Sequence, residues 1–281
     1  MPSSLDILHT AVLAVAILAA AVTFAQEVDT AAQVAAEADG ADIVIVGEVH
    51  DNPEHHRLQA DLVDAIGPSA VVFEMLTPAQ ARVARESAAE GAELGAALGW
   101  EDSGWPDFAM YAPIFAAAEA AGARVYGAAV PRDQVVEAMQ AGLPAAFRGD
   151  AARYGLGAVL DPAEQETREA GQMAAHCDAL PEDMLPAMVR AQRLKDAAFA
   201  RTTLQALRDT SGPVVVITGN GHARTDWGMP RYIARAAPEA HLVSFGQIEG
   251  SPSDADAPPF DIWRVTETIA RPDPCAAFRE G

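Results

Sequence analysis

Five short runs of β-branched and apolar residues restrict the fold of this chain more than any other feature. They are Ile43-Val44-Ile45-Val46, Val71-Val72-Phe73, Val125-Tyr126, Val214-Val215-Val216-Ile217 and Leu242-Val243-Ser244-Phe245, each followed by glycine or a polar cluster. Their apolarity is continuous rather than alternating, the pattern of strands covered on both faces in a mostly parallel sheet. Ile262-Trp263-Arg264-Val265 reads as a last edge strand at about 260–267, with an antiparallel sense left open. The intervening segments read as helices with marked starts. Asn52-Pro53 places a cap before a proline and opens the stripe Leu58, Leu62, Ile66; Thr77-Pro78 and Asp161-Pro162 repeat the device; Pro181 opens a long helix towards Arg208. Residues 91–110 read as a loop or cap, and 250–259 as a surface loop. Alternating strands and helices imply α/β: a central, mostly parallel sheet flanked by helices in a single domain, with strand order not readable.

Length and charge narrow the class. A chain of 281 residues fits one large α/β unit, and with half its residues apolar it has a sizeable core to bury. Acidic residues outnumber basic ones 40 to 19, which argues against nucleic acid as a partner because no basic stripe is present for phosphates. Residues 1–25 read as a signal peptide: Ala11 to Ala25 is almost wholly small or apolar, too short to span a membrane comfortably, and Thr23-Phe24-Ala25 offers small residues where a signal peptidase reads. Residues 26–281 are then the mature domain. The leader lacks lysine and arginine and carries Asp6, so a misassigned start or an uncleaved anchor stays open. No cysteine lies near the cleavage point, and the expected location is periplasmic or secreted, with membrane contact only through the transient leader. Cys177 and Cys275 are the two cysteines; in an oxidising compartment they can pair or stay free, and sequence does not decide.

Chemistry collects just after the strands. The first run leads into Gly47-Glu48-Val49-His50, the second ends at Glu74, and the fourth leads into Gly219-Asn220-Gly221-His222. In a parallel sheet the carboxyl ends share one edge, so Glu48, His50, Glu74 and His222 are expected to meet in a crevice there. The glycines before both histidines are read as permitting sharp turns. His50, His222 and Glu74 form a plausible ligand set for a divalent metal such as zinc or manganese, and the same groups suit general acid–base work without one. At 3.6 residues per turn His55 falls on the apolar stripe, as a packed histidine, while His56 sits on its margin as the better candidate to face the crevice. No zincin motif, nucleophile elbow or complete dinucleotide fingerprint is present, since Arg224 stands where that fingerprint needs its last glycine.

The segments GEVHDNPEHHRLQADLV, VVFEML, WPDFAMYAPIFAAA, HCDALPEDMLPAMVRAQRLKDAAFA and VVVITGNGHARTDWGMPRYI are similar in type and order to the ChaN-like haem-binding uptake family of the Tiki superfamily. The resemblance spans about 40–245 and implies an α/β sandwich. It implies haem binding and iron acquisition, including a homodimer that holds haem between subunits on a tyrosine. Other branches imply metal-dependent proteolysis or ester hydrolysis at the paired Gly-x-x-His motifs. By motif position Glu48, His50, Glu74 and His222 match the shared site, with Glu48 and Glu74 as catalytic carboxylates. His56, His176, Gln192, Asp196 and Asn220 are expected to line it. Gln192 and Asp196 are four apart, hence on one helix face. Candidate haem ligands are Tyr111, in an aromatic and methionine cluster, Tyr154, Tyr126, Tyr232 and the histidines; a phenolate favours ferric iron. Two readings follow: an exported haem-binding protein, or a divalent-metal-dependent hydrolase with Glu48 as base.

Overall fold

Each apolar run becomes a strand because both of its faces are covered. The structure, a computed structural model, describes residues 26–250, 257–273 and 275–276; the proposed leader and residues 251–256 of the expected surface loop lie outside the described residues. The strands are β1 (Gln26–Glu27), β2 (Ile43–Glu48), β3 (Ala70–Phe73), β4 (Arg124–Gly127), β5 (Val214–Gly219), β6 (Leu242–Glu249) and β7 (Ile262–Thr266). They form one sheet in the order β1-β7-β6-β2-β5-β3-β4, every pairing parallel. The final strand is thus parallel to β6 and not outermost, since Gln26 and Glu27 pair beyond it. A parallel sense follows once the chain crosses back over the sheet instead of turning in a hairpin.

The helices are α1 (Ala31–Glu37), α2 (Pro53–Ile66), α3 (Pro78–Glu86), α4 (Gly91–Ala97), α5 (Phe108–Ala120), α6 (Arg132–Ala141), α7 (Leu143–Ala146), α8 (Pro162–Ala175), α9 (Leu185–Thr210), α10 (Asn220–Ala223) and α11 (Met229–Ala236). The side chains of Asn52, Thr77 and Asp161 accept backbone N–H bonds at the starts of α2, α3 and α8, as the cap-proline pairs predict. The long helix begins at Leu185, after a short 3₁₀ turn over Glu182–Met184. The region 91–110 is more helical than a loop: α4 and a 3₁₀ turn at Trp100–Asp102 lead into α5.

Alternate residues of each strand feed two cores. Val44, Val46, Val71, Phe73, Val215 and Ile217 pack on one face with Leu58, Leu62, Tyr111 and Phe115 from α2 and α5. Ile43, Ile45, Val72, Val214 and Val216 pack on the other with Leu194, Phe199 and Leu204 from α9. The period of two along a strand sends neighbours to opposite layers, which is why the sequence shows no polar alternation. Because β5 inserts between β2 and β3, the carboxyl ends of β2, β5 and β3 stand side by side at the point where the chain reverses its order of strand addition. Cys177 and Cys275 are joined in a disulfide with Cα atoms 5.4 Å apart, which settles their pairing. Among the described residues no helix is long and apolar enough to cross a membrane.

Candidate functional site

The last residue of β2, Glu48, is buried and bound on both oxygens. Its Oε1 accepts from Tyr111 Oη at 2.8 Å and from His50 Nδ1 at 2.7 Å, and its Oε2 accepts from Gln59 Nε2 at 2.7 Å. His56 Nδ1 lies 3.4 Å from Oε2. A buried carboxylate keeps its charge only when its lone pairs are so occupied. Holding Nδ1 of His50 by the carboxylate leaves Nε2 for other work. Burial lowers the His50 pKa, but the Glu48 hydrogen bond and the charges of Glu74 and Glu48 outweigh it and hold the imidazole above its ordinary value.

A second carboxylate–imidazole pair faces the first across Glu74. His222 Nδ1 donates to Asp196 Oδ1 at 2.6 Å, Gln192 Nε2 lies 3.1 Å from the same nitrogen, and His222 Nε2 lies 3.5 Å from Glu74 Oε1. Glu74 Oε2 accepts from Thr218 Oγ1 at 2.7 Å and from the Gly219 amide at 2.8 Å. Burial pushes the Glu74 carboxyl up, yet the charges of His222 and His50 hold it below the usual range. Burial alone would lower His222, but Glu74 and Asp196 raise it. Asp196 is raised by burial, with His222 pulling against that, and its Oδ2 is buried without a partner. The result is a charge sandwich, with one carboxylate between two imidazoles whose other nitrogens are fixed by carboxylates of their own.

Two glycines make this convergence possible through closeness rather than sharp turns. A Cβ on Gly219 would stand 2.8 Å from His50 Nε2, and one on Gly47 would stand 2.4 Å from Asn220 Oδ1. Neither has positive φ, so the expected tight turn is replaced by a close approach of side chain to strand. Asn220 does not reach Glu74. Its amide pairs with the Gln247 backbone, donating at 2.5 Å and accepting at 3.1 Å, and so fastens the end of β5 to β6.

The remaining predicted residues divide clearly. His55 accepts from the Val49 amide on Nδ1, so its proton sits on Nε2 against Thr266 Oγ1; burial pushes it down to about 4 and it stays neutral. His56 lies behind Glu48, not in the crevice, donating from Nε2 to the His50 carbonyl and packing on the Tyr111 ring. His176 engages the Gln172 carbonyl of its own helix. All four tyrosines are core residues, 0% exposed for Tyr111, 9% for Tyr126, 4% for Tyr154 and 6% for Tyr232. Tyr111 Oη is spent on Glu48, Tyr126 Oη on Asp209, and burial raises the pKa of every one. Sequence reading missed Gln59 and Thr218. Gln59 is four residues from His55 on the buried face of α2, and a polar residue within an apolar stripe was the available signal.

Among the described residues no three His, Cys, Asp or Glu side chains are placed to hold a metal ion. His222 and Glu74 address each other rather than a common point, and Glu48 has no free oxygen. Beside the crevice, α3, α4 and α5 border an apolar cleft of about 1330 Å³ walled by Trp100, Trp105 and Phe108. Trp105 also meets the half-exposed His50 ring edge-on, centroids 4.9 Å apart, so cleft and crevice share a wall.

Comparison with known proteins adds to this geometry. No curated protein matches the sequence. Among solved structures, a Campylobacter jejuni protein described as "Cofacial heme binding to ChaN" is 18% identical and has a TM-score of 0.61, covering 82% of this chain and 89% of its own. The type III effector HopBA1 is 14% identical with a TM-score of 0.48, over 85% and 94% of the two chains. A mutant of the erythromycin esterase EreC is 15% identical with a TM-score of 0.42, over 79% and 75%. The first of these likenesses establishes the α/β fold. A family model described as haem-binding uptake, Tiki superfamily, ChaN matches residues 34–233. The chain belongs to that ChaN family of the Tiki superfamily.

Proposed function

We propose that this chain is an exported, periplasmic or secreted haem-binding protein that serves haem-iron uptake. The observation that carries the reading is the family match across residues 34–233, with the fold of a structure described as binding haem cofacially. The apolar cleft is consistent with it in size and walls. At about 1330 Å³ it exceeds the roughly 300–1,000 Å³ of ordinary small-molecule pockets, and Trp100, Trp105 and Phe108 offer flat apolar contact.

Tyrosine ligation does not fit these residues. A phenolate ligand needs an accessible oxygen that gives up its proton, whereas all four tyrosines are buried residues whose pKa is raised, and the hydroxyls of Tyr111 and Tyr126 are engaged by Glu48 and Asp209. Among the described residues, those lining the cleft include no His, Tyr, Cys or Met, and Arg85 is the single cation beside Glu90, Glu101, Asp107 and Glu119. The cleft therefore supplies apolar contact but no iron ligand, and a second identical copy would bring the same ligand-free lining, so a haem-sharing homodimer rests on the family reading alone. Absorption titration of the mature protein with ferric haem tests the reading. A saturable Soret shift, retained in Tyr111→Phe and Tyr154→Phe, supports it; no saturable shift in the wild type refutes it.

A second reading rests on the charge sandwich. Two imidazoles aimed by carboxylates and set against Glu74 suit general acid–base chemistry, with Glu48 and Asp196 as positioning residues and His50 as the accessible acid or base. The metal-dependent form of this reading lacks a ligand set among the described residues. Turnover of a panel of chromogenic esters, lost in His50→Ala, would support the acid–base site; no turnover above the variant would count against it.

A further inference from the structure

The C-terminal segment after β7 does not trail away. Leaving Thr266, it is pinned first by Arg271, whose guanidinium makes paired bonds to Asp51 at 2.8 and 2.9 Å and to Glu249 at 2.6 and 2.7 Å. Asp51 is the residue after His50, and Glu249 ends β6. Glu249 also accepts from the Asn52 side chain at 2.7 Å, so one carboxylate ties the segment to the cap of α2. The segment is then fixed at Cys275 to Cys177, in the connection between α8 and α9. That connection leads into the helix whose Gln192 and Asp196 sit on His222. One anchor therefore lies beside His50, and the other in the connection that leads into the helix carrying Gln192 and Asp196.

We propose that residues 267–273, tethered through Cys275, form a strap over the His50 side of the crevice, latched by the Cys177–Cys275 disulfide and released when that bond is reduced. The reductant is a dithiol, small or carried by a protein. Its thiolate attacks one sulfur of the bridge, the mixed disulfide resolves on the second reductant thiol, and the products are two free cysteine thiols and one oxidised reductant. With the latch cut, the Arg271 anchor is held by partly exposed ion pairs of the kind that salt and side-chain entropy weaken. The core does not depend on the strap, because no residue of 267–273 belongs to either buried layer. Reduction thus opens a local element on a closed fold, in the manner of a region drawn from the low-stability end of the molecule. The inference stands on the strap's anchors and is independent of the haem reading.

The test compares the oxidised protein, the same protein after dithiol treatment, and Cys275→Ser. Two readouts apply: the carbethoxylation rate of His50, located by peptide mass spectrometry at alkaline pH, and amide hydrogen exchange. The strap predicts that His50 labels several-fold faster in the reduced and Cys275→Ser forms, and that amides of 49–52 lose protection while those of β2 and β5 keep theirs. Arg271→Ala in the oxidised protein gives a smaller rise of the same kind. Equal labelling rates in all forms overturn the proposal, as do two free thiols in the unreduced protein. Loss of protection throughout β2 and β5 on reduction also overturns it, because the bridge would then staple the whole fold rather than latch one segment.

Discussion

The two carboxylate–imidazole pairs look alike on paper and are built on opposite principles. Glu48 is saturated: Tyr111 and His50 on one oxygen, Gln59 on the other, with His56 close behind. Asp196 makes one bond, to His222, and leaves Oδ2 buried and unpartnered. The first pair is fixed by several hydrogen bonds to one carboxylate and keeps its imidazole partly exposed; the second is buried and rests on one charge-assisted hydrogen bond. A socket filled with donors resists any change of acceptor, whereas a pair held by opposite charge responds to what lies nearby, here Glu74. That difference suits a site with one rigid, accessible group and one tunable, enclosed group.

Replacing each acid by its amide tests the contrast. Glu48→Gln puts an NH₂ group where donors already point, and orphaning one or two buried donors at roughly 1–3 kcal/mol each should lower stability by about 3 kcal/mol in urea denaturation. Asp196→Asn keeps an oxygen for His222 but exchanges a charge-assisted hydrogen bond of roughly 1.5–3 kcal/mol for a neutral one of about 1 kcal/mol, so its cost should be roughly 1–2 kcal/mol. If Asp196→Asn proved as costly as Glu48→Gln, the distinction between socket and charge pair would be lost. Between these lies Tyr111→Phe, which removes one hydrogen bond to a charged acceptor and should cost roughly 1.5–3 kcal/mol.

Proton titration sharpens the comparison with smaller effects. In NMR, His50 and His222 should titrate above the ordinary 6.5 and His55 at about 4, so two imidazoles of the crevice are cationic under conditions where His55 is neutral. Glu74→Gln should lower the midpoints of both His50 and His222, because Glu74 acts on both. The signs for stability follow from linkage. The raised histidines contribute stability that is full below pH 6.5 and is lost as pH rises through their folded values. The lowered Glu74 contributes above 4.5 and loses its share as pH falls through its folded value. Glu74→Gln should therefore flatten the pH profile of stability on both sides; an unchanged profile would mean the sandwich carries no coupling.

Much of this was legible in the chain itself. Continuous runs such as Val214 to Ile217 announced a sheet buried on both faces, and residues at the ends of those runs had to share an edge. Hence the chain alone implies that Glu48, His50, Glu74 and His222 meet. Helical spacing put Gln192 and Asp196 on one face, and both do reach His222. What stayed hidden depends on contacts between distant segments. Strand order rests on how crossovers pack, so nothing local revealed that β5 lies between β2 and β3. His56 points behind Glu48 because Tyr111, 55 residues further on, packs against its ring. The glycines at 47 and 219 looked like turn residues, whereas their task is to let Asn220 and His50 approach. Tyr111 stood out as a haem ligand for its aromatic setting, yet its hydroxyl serves a carboxylate on another element.

The most direct test of the proposed function is a ferric-haem titration followed at the Soret band, run on the wild type and on a His50→Ala/His222→Ala double variant. Haem binding at a site distinct from the crevice predicts a saturable shift of equal stoichiometry in both proteins. No saturable shift in the wild type would contradict haem binding itself, and a shift lost only in a folded double variant would contradict its separation from the crevice.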